Sequence, residues 1–422
     1  VPVTRRHLAA LLDVSGERVL VDAQGHLPTL DDEWPAHPAL VAAVGDPGAV
    51  LAAPPVREPD GTVLDVLAWS GGPTGDGTRW LPVAEVEAPA TLAARVAELR
   101  TGVVPDDGRE PWFVAGWIDE VDAWVERALE GLGRVRSGPR ELVKVWSLSA
   151  VVRYPVGDGT DVWFKATGAA FRAEPTLTAA IATIDPVTVP GVLALDASRA
   201  WMLLEAFPES EDDPTAQQVA DVAAAHARLQ LASLAHLPAL VAAGAPDRGL
   251  APTVAGLRRV VADGVERPTM TDEQRRAAAD AEPWWADRVA ELHGLGLPLT
   301  LVHGDLHLGN VTWRDAVPLL FDWTDACLAH PFLDARHLAS SVGHHLGETV
   351  AVVVRGAYLD VWRQAYPDVD LDRAWDLAEV GDRVFTLVSY EGIYRAQPAW
   401  ARWELAGISV ELLDRLVSLR PA

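Results

Sequence analysis

A chain of 422 residues, 49% hydrophobic and 23% charged, has room for two or three domains and a sizeable core, and no stretch reaches the roughly 18 unbroken apolar residues of a membrane helix. Its single cysteine, Cys327, excludes an internal disulfide and a cysteine-based zinc site. The net charge of −25 argues against a nucleic acid or an anionic membrane as partner, because both are held by basic patches.

The opening "VPVTRRHLAALLDVSGERV" is charged too early, and its apolar run is too short, for a signal peptide. A cytoplasmic protein is expected, and its acidic surface would also suit a cationic small molecule. To about residue 108, short apolar runs such as "GAVLAAPPV" and "TVLDVLAWS" alternate with Pro, Gly and Asp, which predicts strands and hairpins. A helix follows in "PATLAARVAELR", and "VVPDDGREP" reads as a linker. This stretch shows no chemical constellation and is expected to be a small α+β accessory domain, residues 1–108.

From residue 109 the pattern changes. Val121, Trp124, Val125, Ala128, Leu129 and Leu132 recur at helical spacing. Strands are expected in "LVKVWSLSAVVRYPV" and "DVWFKA", with "GDGT" as the hairpin signal between them. "EPTLTAAIATI" predicts a short helix with Pro175 in its first turn, and "GVLALD" and "AWMLLEAF" predict further strands. After "PESEDDPT", long helices dominate: "TAQQVADVAAAHARLQLASLAHL", "TDEQRRAAADAEPWWADRVAELHGLG", "DARHLASSVGHHLG", "TVAVVVRGAYLDVWRQAY" and two more. The fold class is therefore α+β, with a strand-rich lobe over 109–208 leading into a helical lobe over 209–422 and ligands expected in the cleft between them.

The chemistry gathers around "LVHGDLHLGN", residues 301–310. On a strand His303, Asp305 and His307 would share one face, so a metal site of the His/Asp/His type is conceivable; His330, His337, His344 and His345 could contribute to it, but the last three lie on a predicted helix, where a core or surface role is commoner, and nothing else in the sequence completes the site. Asp305, Asn310 and Asp322 make a different set. Two apolar strands, "LTLV" and "VPLLF", deliver them to a common point, with a turn around "TWRDA" between. Asn310 and Asp322 are hard oxygen ligands of the kind that hold Mg²⁺ beside substrate phosphates, and Asp305 is left to accept a proton from a hydroxyl. Phosphoryl transfer needs those parts together with a cation for the nucleotide phosphates. Lys165 is one of only two lysines, with Lys144, among 35 basic residues. It sits in the apolar strand "VWFKA", and Glu174 opens the next helix where it would orient the ammonium.

These residues carry a resemblance. "VHGDLHLGN" is similar to the catalytic loop, and "LLFDWTDA" to the metal-binding strand, of the aminoglycoside-phosphotransferase-type small-molecule kinases, which share the protein-kinase-like fold. "EPTLTAAIATIDPVTVPGVLALD" resembles the helix, loop and strand that follow the phosphate-binding lysine. The match runs over roughly residues 115–422. It implies a bilobal protein-kinase-like fold in which Asp305 is the catalytic base, Asn310 and Asp322 are the Mg²⁺ ligands, Lys165 is the phosphate-binding lysine and Glu174 its partner. It also implies that His303 is structural and that Asp334 braces the catalytic loop, a place where a helix N-cap would serve equally. "LLEAF", with Leu204, Glu205 and Phe207, would be the hinge that meets the nucleotide base. The phosphate loop "WSLSAVV" lacks glycine, so Ser147 and Ser149 would stand in for it.

Function follows as an expectation: Mg²⁺-dependent transfer of the γ-phosphate of ATP or GTP to a hydroxyl of a small polar acceptor, an aminoglycoside or amino sugar first. Asp325, Trp323, Tyr390, Glu391, Tyr394 and Glu404 are candidate acceptor-binding groups, since carboxylates with aromatic walls suit an amine-bearing molecule. Choline, homoserine or a macrolide are alternative acceptors, and a nucleotide-sensing pseudokinase is the alternative of another class. The expected partners are nucleotide and acceptor only, in a monomer or homodimer.

Overall fold

The computed structural model describes residues 5–32, 37–46, 48–102, 104–157, 159–208 and 213–420. Asp158 of the "GDGT" hairpin and residues 209–212, where the sequence places a domain boundary, lie outside the described residues. The chain divides into two compact units. One holds residues 1–170, 201–204 and 397–405, and the other holds 171–200, 205–396 and 406–422.

The first unit opens with β1 (Arg5–Leu12), β2 (Arg18–Val21), β3 (Thr29–Asp32), α1 (His37–Val44), β4 (Val50–Leu51), β5 (Val56–Arg57), β6 (Val63–Ala68), β7 (Arg79–Pro82) and α2 (Ala90–Thr101). The strands form one sheet in the order β4-β6-β1-β2-β7, with β3 added to β1 and β5 to β6. Hairpins were expected here. The central pair β1 and β6 is instead parallel, with His7 opposite Val63 and Ala9 opposite Asp65, and a parallel pair needs a long crossover rather than a turn. β6 is almost wholly buried, as is β1 from Ala9 to Leu12, and α2 packs Leu92 and Val96 against them. Across that pair the His7 imidazole meets the Asp65 carboxylate at 2.8 Å, both fully buried. A buried polar group is tolerated there because it is partnered.

In the same unit α3 (Trp117–Gly131) precedes β8 (Glu141–Val145), β9 (Ser149–Pro155) and β10 (Asp161–Thr167). The long apolar run read as one strand is thus two, broken at 146–148 where the indole of Trp146 donates to the Ser149 hydroxyl at 2.8 Å. α3 buries Trp117, Ile118, Val121, Val125 and Leu129, whereas Leu132, expected on that face, caps the helix and is exposed. Trp117 and Trp124 close edge-on against Phe164 of β10 and against Trp201, a geometry favoured by the aromatic quadrupole.

The second unit is mainly helical. α4 (Glu174–Ile184) and β11 (Val192–Asp196) belong to it, while β12 (Trp201–Leu204) returns to the first unit as the antiparallel neighbour of β10. Then come α5 (Ala216–Ser233), α6 (Leu237–Ala242), α7 (Leu250–Asp263) and α8 (Asp272–Gly294). Thr215 with Gln218, and Thr271 with Gln274, form reciprocal capping boxes that fix where α5 and α8 begin. Two short ribbons follow, β13 (Thr300–Val302) paired with β16 (Cys327–Ala329), and β14 (Val311–Arg314) paired with β15 (Val317–Leu320). α9 (Phe332–Leu346), α10 (Glu348–Ala365), α11 (Leu371–Ala396) and α12 (Ile408–Ser418) complete the chain. Trp323, Phe332, Tyr358, Trp362 and Trp375 build the core between the ribbons and α5, α9, α10 and α11. No helix among the described residues is long and apolar enough to cross a membrane.

The turn expected around "TWRDA" is made by Asp315 and Ala316, both with positive φ, 49° and 67°, while Val311–Arg314 is strand. A two-residue hairpin with both central residues at positive φ matches the strand twist but strains a residue that carries a Cβ. Ala316 is exposed, so the strain can be tested without disturbing a core. Ala316→Gly should raise stability by about 0.5 kcal/mol, the relieved backbone strain exceeding glycine's extra unfolded-state entropy, read as a higher urea midpoint with an unchanged slope.

Candidate active site

β13 ends at Val302, so His303, Asp305 and His307 lie on a loop and do not share the face of a strand. The His303 ring is fully buried, 3.0 Å from the Phe321 carbonyl through Nε2 and packed on Trp323. It holds the loop from behind. Asp334, in the first turn of α9, receives the backbone N–H groups of His303 at 2.6 Å and Gly304 at 2.9 Å, and the His226 ring at 2.7 Å. The helix cap is Pro331, so the Asp334 carboxylate faces the loop rather than its own helix end. Burial pushes that carboxyl up, but the hydrogen bonds and the histidines prevail and hold it below the usual range. Gly304 has φ +86°, and a Cβ there would lie 2.4 Å from the Asp325 carbonyl oxygen. Only glycine passes that corner.

Held in this way, the loop presents Asp305 with both carboxylate oxygens engaged. His337 of α9 stands 3.5 Å from Oδ1, and His307 3.5 Å from Oδ2. Asn310 donates its amide to the Asp305 carbonyl at 2.9 Å and lies 3.5 Å from Oδ2. Burial raises the Asp305 carboxyl, yet the hydrogen bonds and charges of His307 and His337 more than offset it and leave the group far below the ordinary carboxylate range. The His307 ring also accepts the Gly309 N–H at 3.0 Å, which turns the chain toward Asn310.

Asn310 and Asp322 come together through the backbone. The Phe321 N–H donates to the Asn310 carbonyl at 3.1 Å, continuing the β14–β15 pairing by one residue. Asp322 then adopts a left-handed conformation, φ 64° and ψ 62°, and its carboxylate receives the Thr324 hydroxyl. With the Asn310 nitrogen turned to Asp305, its amide oxygen faces away from that carboxylate. An amide oxygen and a carboxylate on adjoining strand ends are a donor set that fits Mg²⁺. Asp325 sharpens the point. Its carboxyl is pushed up to about 8 by burial first, and then by the negative charges of Asp305, Asp322 and Glu174, which prevail over the opposing charge of Arg248.

Of the acceptor candidates, Asp325 and Tyr390 join this cluster. The Tyr390 phenol is raised by burial and by Asp305 and Asp325. Trp323 is a core residue whose indole donates to Leu320, and Tyr394 is buried in α11. Glu391 is turned elsewhere, accepting the Val265 N–H at 2.8 Å and Arg395 at 2.9 Å. It follows Tyr390 by one residue, and one residue along a helix is a rotation of about 100°. Glu404 belongs to the first unit, where its buried carboxylate accepts from Ser147 and Gln397.

That contact also fixes the two serines of the glycine-free turn. Ser147 and Ser149 are buried and bonded to Glu404 and Trp146. Lys165 is buried on β10, opposite Val151 and Met202, in the first unit; Glu174 is buried at the start of α4, in the second. Leu204 closes β12 opposite Trp163. Glu205 donates its N–H to the Gly191 carbonyl at 2.9 Å and pairs with Arg314 at 3.0 Å, while Phe207 stacks on Phe321 at 5.0 Å. Sequence reading missed the parts played by His226, His337 and Asp382. His337 faces Asp305 directly, while His226 acts through Asp334 and Asp382 through His337, and spacing carries no signal of these contacts.

Comparison with known proteins agrees with the motifs. Residues 163–368 match the phosphotransferase enzyme family. No curated protein matches the chain. Among solved structures, a macrolide 2'-phosphotransferase type I is 18% identical, with a TM-score of 0.46 over 71% of this chain and 97% of its own. The macrolide 2'-phosphotransferase MphH from Brachybacterium faecium is 15% identical, with a TM-score of 0.48 over 72% and 99%. The amicoumacin kinase hAmiN is 16% identical, with a TM-score of 0.47 over 72% and 94%. The lysine, the His-Gly-Asp loop, the asparagine and the second aspartate all fall inside residues 163–368, the part of this chain that matches the phosphotransferase enzyme family.

Proposed function

We propose that the chain transfers the γ-phosphate of ATP or GTP to a hydroxyl of a small, polar, amine-bearing acceptor such as an aminoglycoside or amino sugar. The observation that carries this reading is the arrangement at Asp305, a carboxylate kept ionised and held at both oxygens beside Asp325 and Tyr390. An ionised carboxylate that no local donor fully saturates can accept the hydrogen bond of an incoming hydroxyl and aim its oxygen at phosphorus. The same cluster attracts a positively charged group on the acceptor, because three carboxylates bear on Asp325 and prevail over the one opposing charge named there, that of Arg248.

Each residue then has a part. Asp305 binds the acceptor hydroxyl, orients it and takes up its proton as the new P–O bond forms. Asn310 and Asp322 would hold Mg²⁺. That ion, when bound, neutralises phosphate charge and draws electron density from the transferring group. From the resemblance, Lys165 binds the nucleotide phosphates, Glu174 supports it, and residues 203–207 meet the base. Asp334 and His303 keep the loop in shape and touch no substrate. In phosphoryl transfer little covalent work falls to the protein, and positioning and electrostatics supply most of the rate.

Nucleotide consumption with Mg·ATP and Mg·GTP, measured against a panel of aminoglycosides, amino sugars, choline, homoserine and macrolides, tests the reading. Turnover stimulated by an amine-bearing acceptor is the expected result, and stimulation by a neutral acceptor alone would overturn the acceptor class. Asp305→Asn should lower turnover by about 10²–10⁴-fold, the usual contribution of a general base, with nucleotide affinity nearly unchanged by calorimetry. Asp322→Ala should instead abolish the Mg²⁺-dependent part of nucleotide binding.

A further inference from the structure

Asp305 is not the end of its hydrogen-bonded chain. His337, on α9, faces it with Nε2 at 3.5 Å and turns Nδ1 to Asp382 of α11 at 3.1 Å. The Asp382 carboxylate is 8% exposed and also lies within reach of the Thr386 hydroxyl one turn along, at 3.4 Å. The neighbouring cations are committed elsewhere, for Arg336 and Arg383 both pair with Glu379. Asp382 is therefore left with a histidine as its ion-pair partner, and that histidine points at the loop carboxylate. α11 begins at Leu371, beyond the matched residues 163–368, so this support lies outside the segment that marks the family.

The charges agree with the geometry. Burial alone would lower the His337 imidazole, but Asp382 from α11 and Asp305 from the loop after β13 raise it well above the usual histidine value. The groups around it are those two carboxylates, with Arg336 on its own helix and Glu379 and Arg383 on α11 bound to one another. An imidazolium fixed between two carboxylates cannot rotate freely, and neither can the carboxylate that it faces. With Oδ1 tied to His337 and Oδ2 near His307 and Asn310, the Asp305 plane is set from two sides.

We propose that His337, anchored by Asp382, is a positioning residue that orients the Asp305 carboxylate toward the acceptor hydroxyl; this rests on the reading of Asp305 as the base. A positively charged neighbour makes a carboxylate a weaker base, which would be a poor arrangement if proton removal led the reaction. In a loose phosphoryl-transfer transition state the hydroxyl proton leaves late, so a fixed direction of approach is worth more than added basicity, and a misplacement of about 1 Å costs about 10²-fold.

The test uses the full chain and water as acceptor, reading phosphate release from Mg·ATP and Mg·GTP in single turnover, with nucleotide affinity measured separately. His337→Ala should slow release by about 10²-fold while affinity changes by less than about twofold, and His337→Gln, which keeps a donor, should recover to within about tenfold of wild type. Asp382→Asn should slow release as well. In histidine-labelled protein the His337 imidazole, assigned by its loss in His337→Gln, should stay protonated to a higher pH than an exposed histidine and titrate lower in Asp382→Asn. Wild-type release in His337→Ala, or an ordinary titration of His337 in the wild type, overturns the proposal. Asp305→Asn separates the two readings. Unchanged release there removes the base and this proposal with it, whereas loss in Asp305→Asn without loss in His337→Ala removes only the positioning role.

Discussion

Burying a carboxylate costs several kcal/mol unless its oxygens are paired, and at Asp334 that cost is offset by three donors that belong to the loop after β13 and to α5. Two are the backbone N–H groups of His303 and Gly304, and the third is the His226 ring of α5. Hydrogen bonds to a charged group contribute about 1.5–3 kcal/mol each, so the loop, α5 and α9 are tied at one atom pair. Around it the same helices share a second knot, in which Tyr358 and Gln230 meet the Pro331 carbonyl. The consequence is directional. With the backbone of 303 and 304 fixed, the carboxylate of residue 305 is presented between His337 and His307.

Orientation and basicity compete at Asp305, and the structure has chosen orientation. Two histidines within 3.5 Å lower the carboxyl's proton affinity, while the same two contacts restrict its rotation. For an enzyme that must strip a proton before bond formation that would be a loss. For phosphoryl transfer, whose transition state places most of its charge change on the phosphoryl oxygens, the nucleophile's direction matters more. The electrostatics around Asp305 therefore support the chemistry suggested by the motif itself.

Much of this was legible in the sequence, for stated reasons. The long helices announce themselves through 3.6-residue periodicity and through Thr-x-x-Gln boxes at 215 and 271. "HGDLHLGN" and "FDWTDA" are local motifs, and their residues Asp305, Asn310, Asp322 and Asp325 do gather in one place. Less legible were groups whose partners are distant in the chain. His337 and Asp382 are 45 residues apart and look in sequence like surface residues of two helices. Glu391 and Glu404 resemble acceptor groups by composition, yet the one is engaged by Val265 and Arg395 and the other by Ser147 and Gln397. The parallel pairing of β1 with β6 was also hidden, since alternation of apolar residues marks a strand but not its neighbour.

The charge around Asp325 bears on what the site accepts. A carboxyl pushed up to about 8 by burial first, and by three neighbouring acids against the opposing charge of Arg248, marks a point where a further anion is disfavoured. The terminal phosphate must nevertheless approach Asp305. The two demands are reconciled if positive charge is brought in from both directions, by a divalent ion on Asn310 and Asp322 on the phosphate side and by an amine of the acceptor on the side of Asp325 and Tyr390. On the proposed reading, the stabilisation of a cation bound beside Asp325 would grow with each carboxylate that faces it.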